Sequence, residues 1–256
     1  MTGGKEIFAL SSMAKSSILP FILLLLLVGF GENASADNTS VNACAGWRTS
    51  VESGNARDWD VVPASCVSDV GNYMENGQYL LDFKIAVQQC LAYLNDSKLV
   101  GDGKDAWVFD TDDTTLSCLS YYRTQQYGGA VFNSTSFNEW VEKGTATVLP
   151  SSLQLYNALL KKGVEIFILT GRDEEYRELT TKNLMAAGYS NWAGLIMRGD
   201  SDQGTTALVY KSEKRGELVK KGYRIWGNCG DQWSDITGNH TGYRTFKMPN
   251  PMYYIS

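Results

Sequence analysis

Trp107-Val108-Phe109-Asp110-Thr111-Asp112-Asp113-Thr114 is the stretch on which the fold turns. Its three leading apolar residues read as a short buried strand, and that strand runs straight into Asp110. Residues 164–169 (VEIFIL) repeat the pattern: a β-rich run delivers Thr170-Gly171-Arg172. Residues 195–197 give a third short strand. A fourth, at 223–226, precedes Gly230-Asp231-Gln232-Trp233-Ser234-Asp235. Amphipathic helices are predicted between these runs. One covers 151–162, with Ser151 after Pro150 as its cap and Gly163 as its stop. A second covers 173–187 and stops at Gly188, and a charged third covers 212–221 and closes at Gly222. Strand and helix in alternation imply an α/β fold, a parallel sheet with helices on both faces. In such a sheet the ligand sits beyond the carboxyl ends of the strands, where the polar clusters fall.

Asp110 and Asp112 can face one crevice if the chain turns after its strand, one as a nucleophile and the other as a general acid/base. Their repulsion is costly unless a cation lies between them, and oxygen donors of this kind suit Mg²⁺. An acidic turn after a strand also arises without catalytic meaning. Thr170 and Gly171 offer a hydroxyl and backbone N–H groups to an anionic oxygen, although a Thr-Gly pair is also ordinary turn chemistry. Lys211-Ser212-Glu213-Lys214-Arg215 opens the charged helix. A lysine there can neutralise a phosphoryl group and the carboxylates beside it, whereas the commoner meaning of such a run is a solvated face. Asp231 and Asp235, four residues apart, can share one face of a helix turn and complete a metal site; taken singly they would be caps. The ordered set is more specific than any of its members.

The chain has 256 residues, of which 43% are apolar and 20% charged, enough for a sizeable core and no case for disorder. Its 28 acids and 23 bases give a formal net charge of -5, which disfavours nucleic acid as a partner. The single histidine, His240, argues against histidine-nucleophile phosphatases, His-rich dinuclear hydrolases and His-clustered zinc sites. It would also be the sole base available to a Ser-His-Asp hydrolase.

Residues 1–36 read as an export signal. Lys5 and Lys15 precede an apolar run over 18–30, and Ala34-Ser35-Ala36 supplies a small-x-small cleavage pattern. The run is too short to cross ~30 Å of hydrocarbon at ~1.5 Å per residue, so no stable membrane anchor is expected. Met13 is an alternative start, and the mature chain would begin near Asp37. All five cysteines (Cys44, Cys66, Cys90, Cys118, Cys229) follow the signal, so disulfides are expected and the odd count leaves a thiol unpaired. Cys44 and Cys66 are the easiest pair to close. Sequons stand at Asn38, Asn95, Asn133 and Asn239. Between Trp47 and Leu99 the apolar spacing of Tyr79-Leu80, Phe83, Val87, Cys90-Leu91 and Leu94 reads as mainly helical.

The succession Asp-x-Asp-x-Thr, Thr-Gly, basic helix and Gly-Asp-x-x-x-Asp resembles the haloacid dehalogenase (HAD) superfamily of phosphatases. More narrowly the chain is similar to plant acid phosphatases and vegetative storage proteins, on Trp107 to Thr114, Tyr210 to Arg215, Gly222 to Asn228, Gly230 to Asp235 and the ending Phe246-Lys247-Met248-Pro249-Asn250-Pro251-Met252-Tyr253-Tyr254. The resemblance implies a Rossmann-like core over 106–256, an N-terminal helical extension over 37–105 and a small cap inserted at about 117–149. It implies Asp110 as nucleophile and Asp112 as acid and then base. Mg²⁺ would be held by Asp110, the Asp112 main-chain carbonyl and Asp231, with Asp235 in support. Thr170 and Gly171 would hold phosphoryl oxygens, and Lys211, chosen over Lys214, would offset charge. Asp113 stands where glutamate is frequent. Cys118 and Cys229 depart from the pattern, and a disulfide between them would tie the two acidic loops together. The cap's Tyr121, Tyr122, Tyr127, Phe132, Phe137 and Trp140 would either stack on a leaving group or simply pack the cap. The implied function is a secreted (cell-wall) or vacuolar acid phosphatase for small phosphomonoesters, with a homodimer left open. The rival is a storage protein of the same fold.

Overall fold

The computed structural model describes residues 42–256; the expected export signal and the Asn38 sequon lie outside them. Three helices come first: α1 (Ala43–Glu52), α2 (Val67–Glu75) and α3 (Gln78–Asp96). Asn42 caps α1, its side-chain oxygen accepting from the backbone N–H of Cys44 and Ala45 at 3.0 and 3.1 Å. A Cys44–Cys66 disulfide ties the first turn of α1 to the turn before α2. Closing a loop of that length stabilises by about 3 kcal/mol, chiefly by restricting the unfolded chain. Tyr79, Phe83, Val87, Cys90 and Leu94 form the buried stripe of α3, at the i, i+4 and i+3 steps that keep side chains on one helical face.

β1 (Asp105–Phe109) is buried at every position. Its side chains alternate between two cores: Trp107 and Phe109 face one, Ala106 and Val108 the other. The short strand β2 (Leu116–Ser117) then opens the insert, which holds α4 (Leu119–Thr124) and α5 (Ser134–Glu142). The strand β3 (Thr147–Val148) closes it by pairing antiparallel with β2. In α6 (Pro150–Lys161) the proline is the first helical residue and Leu149 occupies the cap position, so Ser151 lies inside the helix rather than capping it. Proline suits that first position because its missing N–H would have had no partner there.

β4 (Glu165–Asp173) runs on through Thr170-Gly171-Arg172, its pairing shifting register between Leu169 and Asp173. A tight turn at Glu174–Tyr176 follows, so α7 (Arg177–Ala186) starts later than the expected 173. β5 (Gly194–Arg198) is next. α8 (Ala207–Lys220) starts well before the expected 212, capped by Thr206, whose hydroxyl accepts from Val209 N–H at 3.3 Å. Lys211 therefore stands in the second turn of α8 rather than at its opening. β6 (Arg224–Gly230), the single turn α9 (Trp233–Ile236) and β7 (Arg244–Lys247) complete the chain.

The sheet has the order β5-β4-β1-β6-β7, with every pairing parallel. α8 covers the Val108 face through Tyr210 and Leu218. Residues of α3 and α6 cover the Trp107 face. Residues 42–256 form one compact unit, and no helix among the described residues is long and apolar enough to cross a membrane.

Candidate active site

Parallel strands end together, so the loops after β1, β4 and β6 converge at the carboxyl edge of the sheet. Asp110 follows β1 directly, its backbone N–H donating to Cys229 O at 3.0 Å. Asp113 then takes a left-handed conformation (φ 50°), and its carboxylate accepts from Cys118 N–H at 2.9 Å, which closes the loop. Gly230, the last residue of β6, leaves no room for a side chain: a Cβ there would fall 2.1 Å from the Cβ of Asp235.

A cavity of about 300 Å³ opens at this edge, lined by Asp110, Asp112, Arg172, Lys211, Asp231 and Asp235. Gly171 joins the lining, and Thr170 lies fully buried, its hydroxyl accepting from Arg172 N–H at 3.2 Å. Lys211 donates to Asp110 Oδ1 at 2.6 Å and also to Asp235 Oδ1. Lys214 instead pairs with Asp202 and Glu217, so of the two lysines Lys211 reaches the carboxylates. His240 is exposed and stands apart from the cavity lining.

Burial would lower the Lys211 pKa, but Asp110 and Asp235 overcome that and hold the ammonium above its ordinary range. Burial pushes the Asp110 carboxyl up against the attraction of Lys211, and Asp235, Asp231 and Asp112 act in the same upward sense. Burial, with Asp235 beside it, pushes Asp231 up to about 6. Asp112 behaves differently. Burial would raise it, but Arg172 more than compensates and leaves it below the usual carboxylate range. That guanidinium grips both oxygens, Nε to Oδ2 at 3.0 Å and an Nη to Oδ1 at 2.6 Å, and the Cys118 thiol donates to Oδ1 at 3.0 Å.

Asp110, Asp231 and Asp235 place carboxylate oxygens within 4.8 Å of one another, all three residues buried. The donor set is all oxygen, and Lys211 is the one cation in contact with the trio among the described residues. Hard oxygen donors with uncompensated buried charge fit a divalent cation. The Asp112 carboxylate is committed to Arg172, so that residue could reach a cation only through its main chain.

Two alternatives that the sequence leaves open take definite outcomes. Cys118 and Cys229 do not pair: Cys118 faces Asp112, while Cys229 lies 3.8 Å from the Cys90 sulfur and accepts from Trp107 Nε1 at 3.2 Å. The rings of the insert divide between both readings. Tyr121 and Trp140 are buried against neighbouring rings, while Tyr122, Phe132 and Phe137 line the cavity with Tyr253 and Ile255 of the C-terminal segment. Sequence reasoning also left Arg172, Gln232 and Asn250 without roles. Arg172 sat in a quoted strand-end cluster, and that was its only signal. Gln232 and Asn250 donate to Asp231 Oδ2, each at 2.7 Å, a contact made by folding alone.

Residues 31–256 match the family described as HAD superfamily, subfamily IIIB (acid phosphatase). The chain is 47% identical to acid phosphatase 1 of Solanum lycopersicum over 83% of each chain. It is 42% identical to the stem 28 kDa glycoprotein of Glycine max over 83% of this chain and 84% of that one. With vegetative storage protein 1 of Arabidopsis thaliana it shares 37% identity over 96% of this chain and 93% of the relative. Among solved structures, the class C acid phosphatase of Bacillus anthracis superposes with a TM-score of 0.60 at 22% identity, covering 72% of this chain and 83% of the other, a likeness of fold. On the family match and these identities, the chain belongs to subfamily IIIB of the HAD superfamily, the acid phosphatases.

Proposed function

We propose that the protein is a secreted or vacuolar acid phosphatase that hydrolyses small phosphomonoesters through a phosphorylated Asp110, with Mg²⁺ at the carboxylate cluster. The observation that carries this reading is the joint contact of Lys211 with Asp110 and Asp235 in a buried, oxygen-lined end of the cavity. A carboxylate oxygen of Asp110 bonds to phosphorus as the ester oxygen departs, and Asp112 gives that oxygen its proton. Asp112, now a base, takes a proton from the water that cleaves the phosphoaspartate, releasing inorganic phosphate. Arg172 holds the Asp112 carboxylate in one orientation between these two duties. Thr170 and Gly171 offer a hydroxyl and a backbone N–H to the phosphoryl oxygens, and the Lys211 ammonium offsets their charge. Asp110, Asp231 and the Asp112 carbonyl would hold Mg²⁺, with Asp235 in support. When bound, the cation supplies further neutralisation of the charge spread over the transferring group.

Residues 37–105 serve in this reading as a helical extension, 106–256 as the catalytic core and about 117–149 as the cap. The rings of Tyr122, Phe132 and Phe137 suit an organic leaving group. A second reading, a storage protein with little catalysis, rests on likeness to a protein named vegetative storage protein. Hydrolysis of p-nitrophenyl phosphate between pH 4 and 8 separates them. The phosphatase reading requires turnover that falls with EDTA, returns with Mg²⁺ and disappears in Asp110→Asn. Folded, Mg²⁺-supplied protein without turnover would leave storage as the better account.

A further inference from the structure

The C-terminal end of α1 grips the loop that carries Asp231. Asn250 is buried and donates to Asp231 Oδ2 at 2.7 Å. Its own side-chain oxygen accepts from Met252 N–H at 2.9 Å, and its backbone N–H donates to Glu52 Oε1 at 2.8 Å. The other Glu52 oxygen accepts from Lys247 Nζ at 2.8 Å. One residue earlier, Val51 O accepts from Trp233 Nε1 at 3.1 Å, and Trp233 opens the turn α9 that carries Asp235. Contacts from two adjacent residues of α1 thus reach both sides of the acidic loop.

Glu52 is the last residue of α1, where the helix already presents the negative end of its dipole. A carboxylate at that position costs the helix stability, so its place is explained by what it touches, Lys247 and Asn250. Its side chain is 23% exposed, which leaves the hydrogen bonds only partly screened.

We propose that Glu52 is a positioning residue for cation binding: acting through Asn250 it fixes the carboxylate of Asp231, so helix α1 sets the affinity of the site for a divalent cation. The inference rests on the reading of Asp231 as a ligand. Groups one contact removed from a ligand alter affinity by roughly 10- to 100-fold when replaced.

Direct titration with Mn²⁺, followed by its electron paramagnetic resonance signal, tests this without recourse to turnover. Asn250→Ala, one contact from Asp231, should weaken Mn²⁺ binding about tenfold, and Glu52→Ala, which removes the acceptor that holds Asn250, should weaken it in the same sense by up to about tenfold. The double variant should be no weaker than the worse single one, because both act on one oxygen. A merely structural role would lower the unfolding temperature and leave the affinity of the folded fraction at the parental value. Parental affinity in either single variant, or fully additive losses in the double, overturns the proposal. Asp231→Asn is the control: if it binds Mn²⁺ as the parent does, the ligand assignment itself falls and takes this inference with it.

Discussion

Lys211 places one ammonium between two buried carboxylates, and the gripping of Asp112, two residues after Asp110, by Arg172 is the complementary device. The first serves charge, the second orientation. A carboxylate held by a guanidinium is ionised at neutral pH and gives a proton to a leaving group only after acquiring one, which acidic medium favours. The value of that proton depends on the leaving group. Replacing Asp112 by Asn should therefore cut kcat/KM for an alkyl phosphate by about 10²–10⁴-fold, the range of general acid catalysis. For p-nitrophenyl phosphate, whose phenolate leaves without help, the loss should be far smaller. Because kcat/KM reports steps only up to the first irreversible one, the later role of Asp112 as base does not blur the comparison. Equal losses on both esters would contradict the assignment.

Strands β1 and β6 are locked where they start as well as where they deliver the site. Asp105 is buried and accepts from Gly101 N–H at 2.7 Å, from Trp226 Nε1 at 2.7 Å and from Arg224 at 3.0 Å. Burial would raise its pKa; these donors more than compensate and leave it below its ordinary value of 3.8. A depressed folded pKa contributes stability that is fully present above the unfolded value and is lost as pH falls through the folded one. Asp105→Asn should thus cost about 2 kcal/mol at pH 6, measured by denaturant unfolding, and the gap from the parent should narrow below pH 4. A gap that stays constant with pH would rule out Asp105 as its source. Element by element, legibility followed the origin of each signal. β1 and β4 were readable because their apolar runs are buried on two faces by their own composition. β6 past Trp226 is Gly-Asn-Cys-Gly, a poor strand by propensity, and β7 buries only Phe246; both exist through pairing with neighbours. The start of α8 was missed although Thr206 before an apolar stretch was a cap signal. The carboxylates were readable from strand-end position and spacing, whereas Lys211 stood out only as the first base of a charged run taken for a helix opening, and α8 in fact opens at Ala207. The partners that aim the carboxylates, Arg172 and Asn250, were not readable, because nothing local in sequence encodes a contact across 60 or 19 residues.

At the scale of the whole molecule, the chain brings four separated segments to one cavity: the loop after β1, the end of β4, the second turn of α8 and the loop after β6. The insert adds aromatic rings to the same cavity, and the disulfide-tied helix α1 reaches the acidic loop after β6. An arrangement in which buried carboxylates crowd together is costly to a protein that serves only as a store, since apolar packing would be as stable or more so. The central claim is that this cost serves a covalent step at Asp110. Rapid mixing with a ³²P-labelled phosphomonoester, acid quench on the millisecond scale and peptide mapping tests it most directly. The account predicts acid-stable, hydroxylamine-sensitive label on the peptide containing Asp110, absent in Asp110→Asn. Full turnover with no trapped label, or label on a different residue, would contradict it.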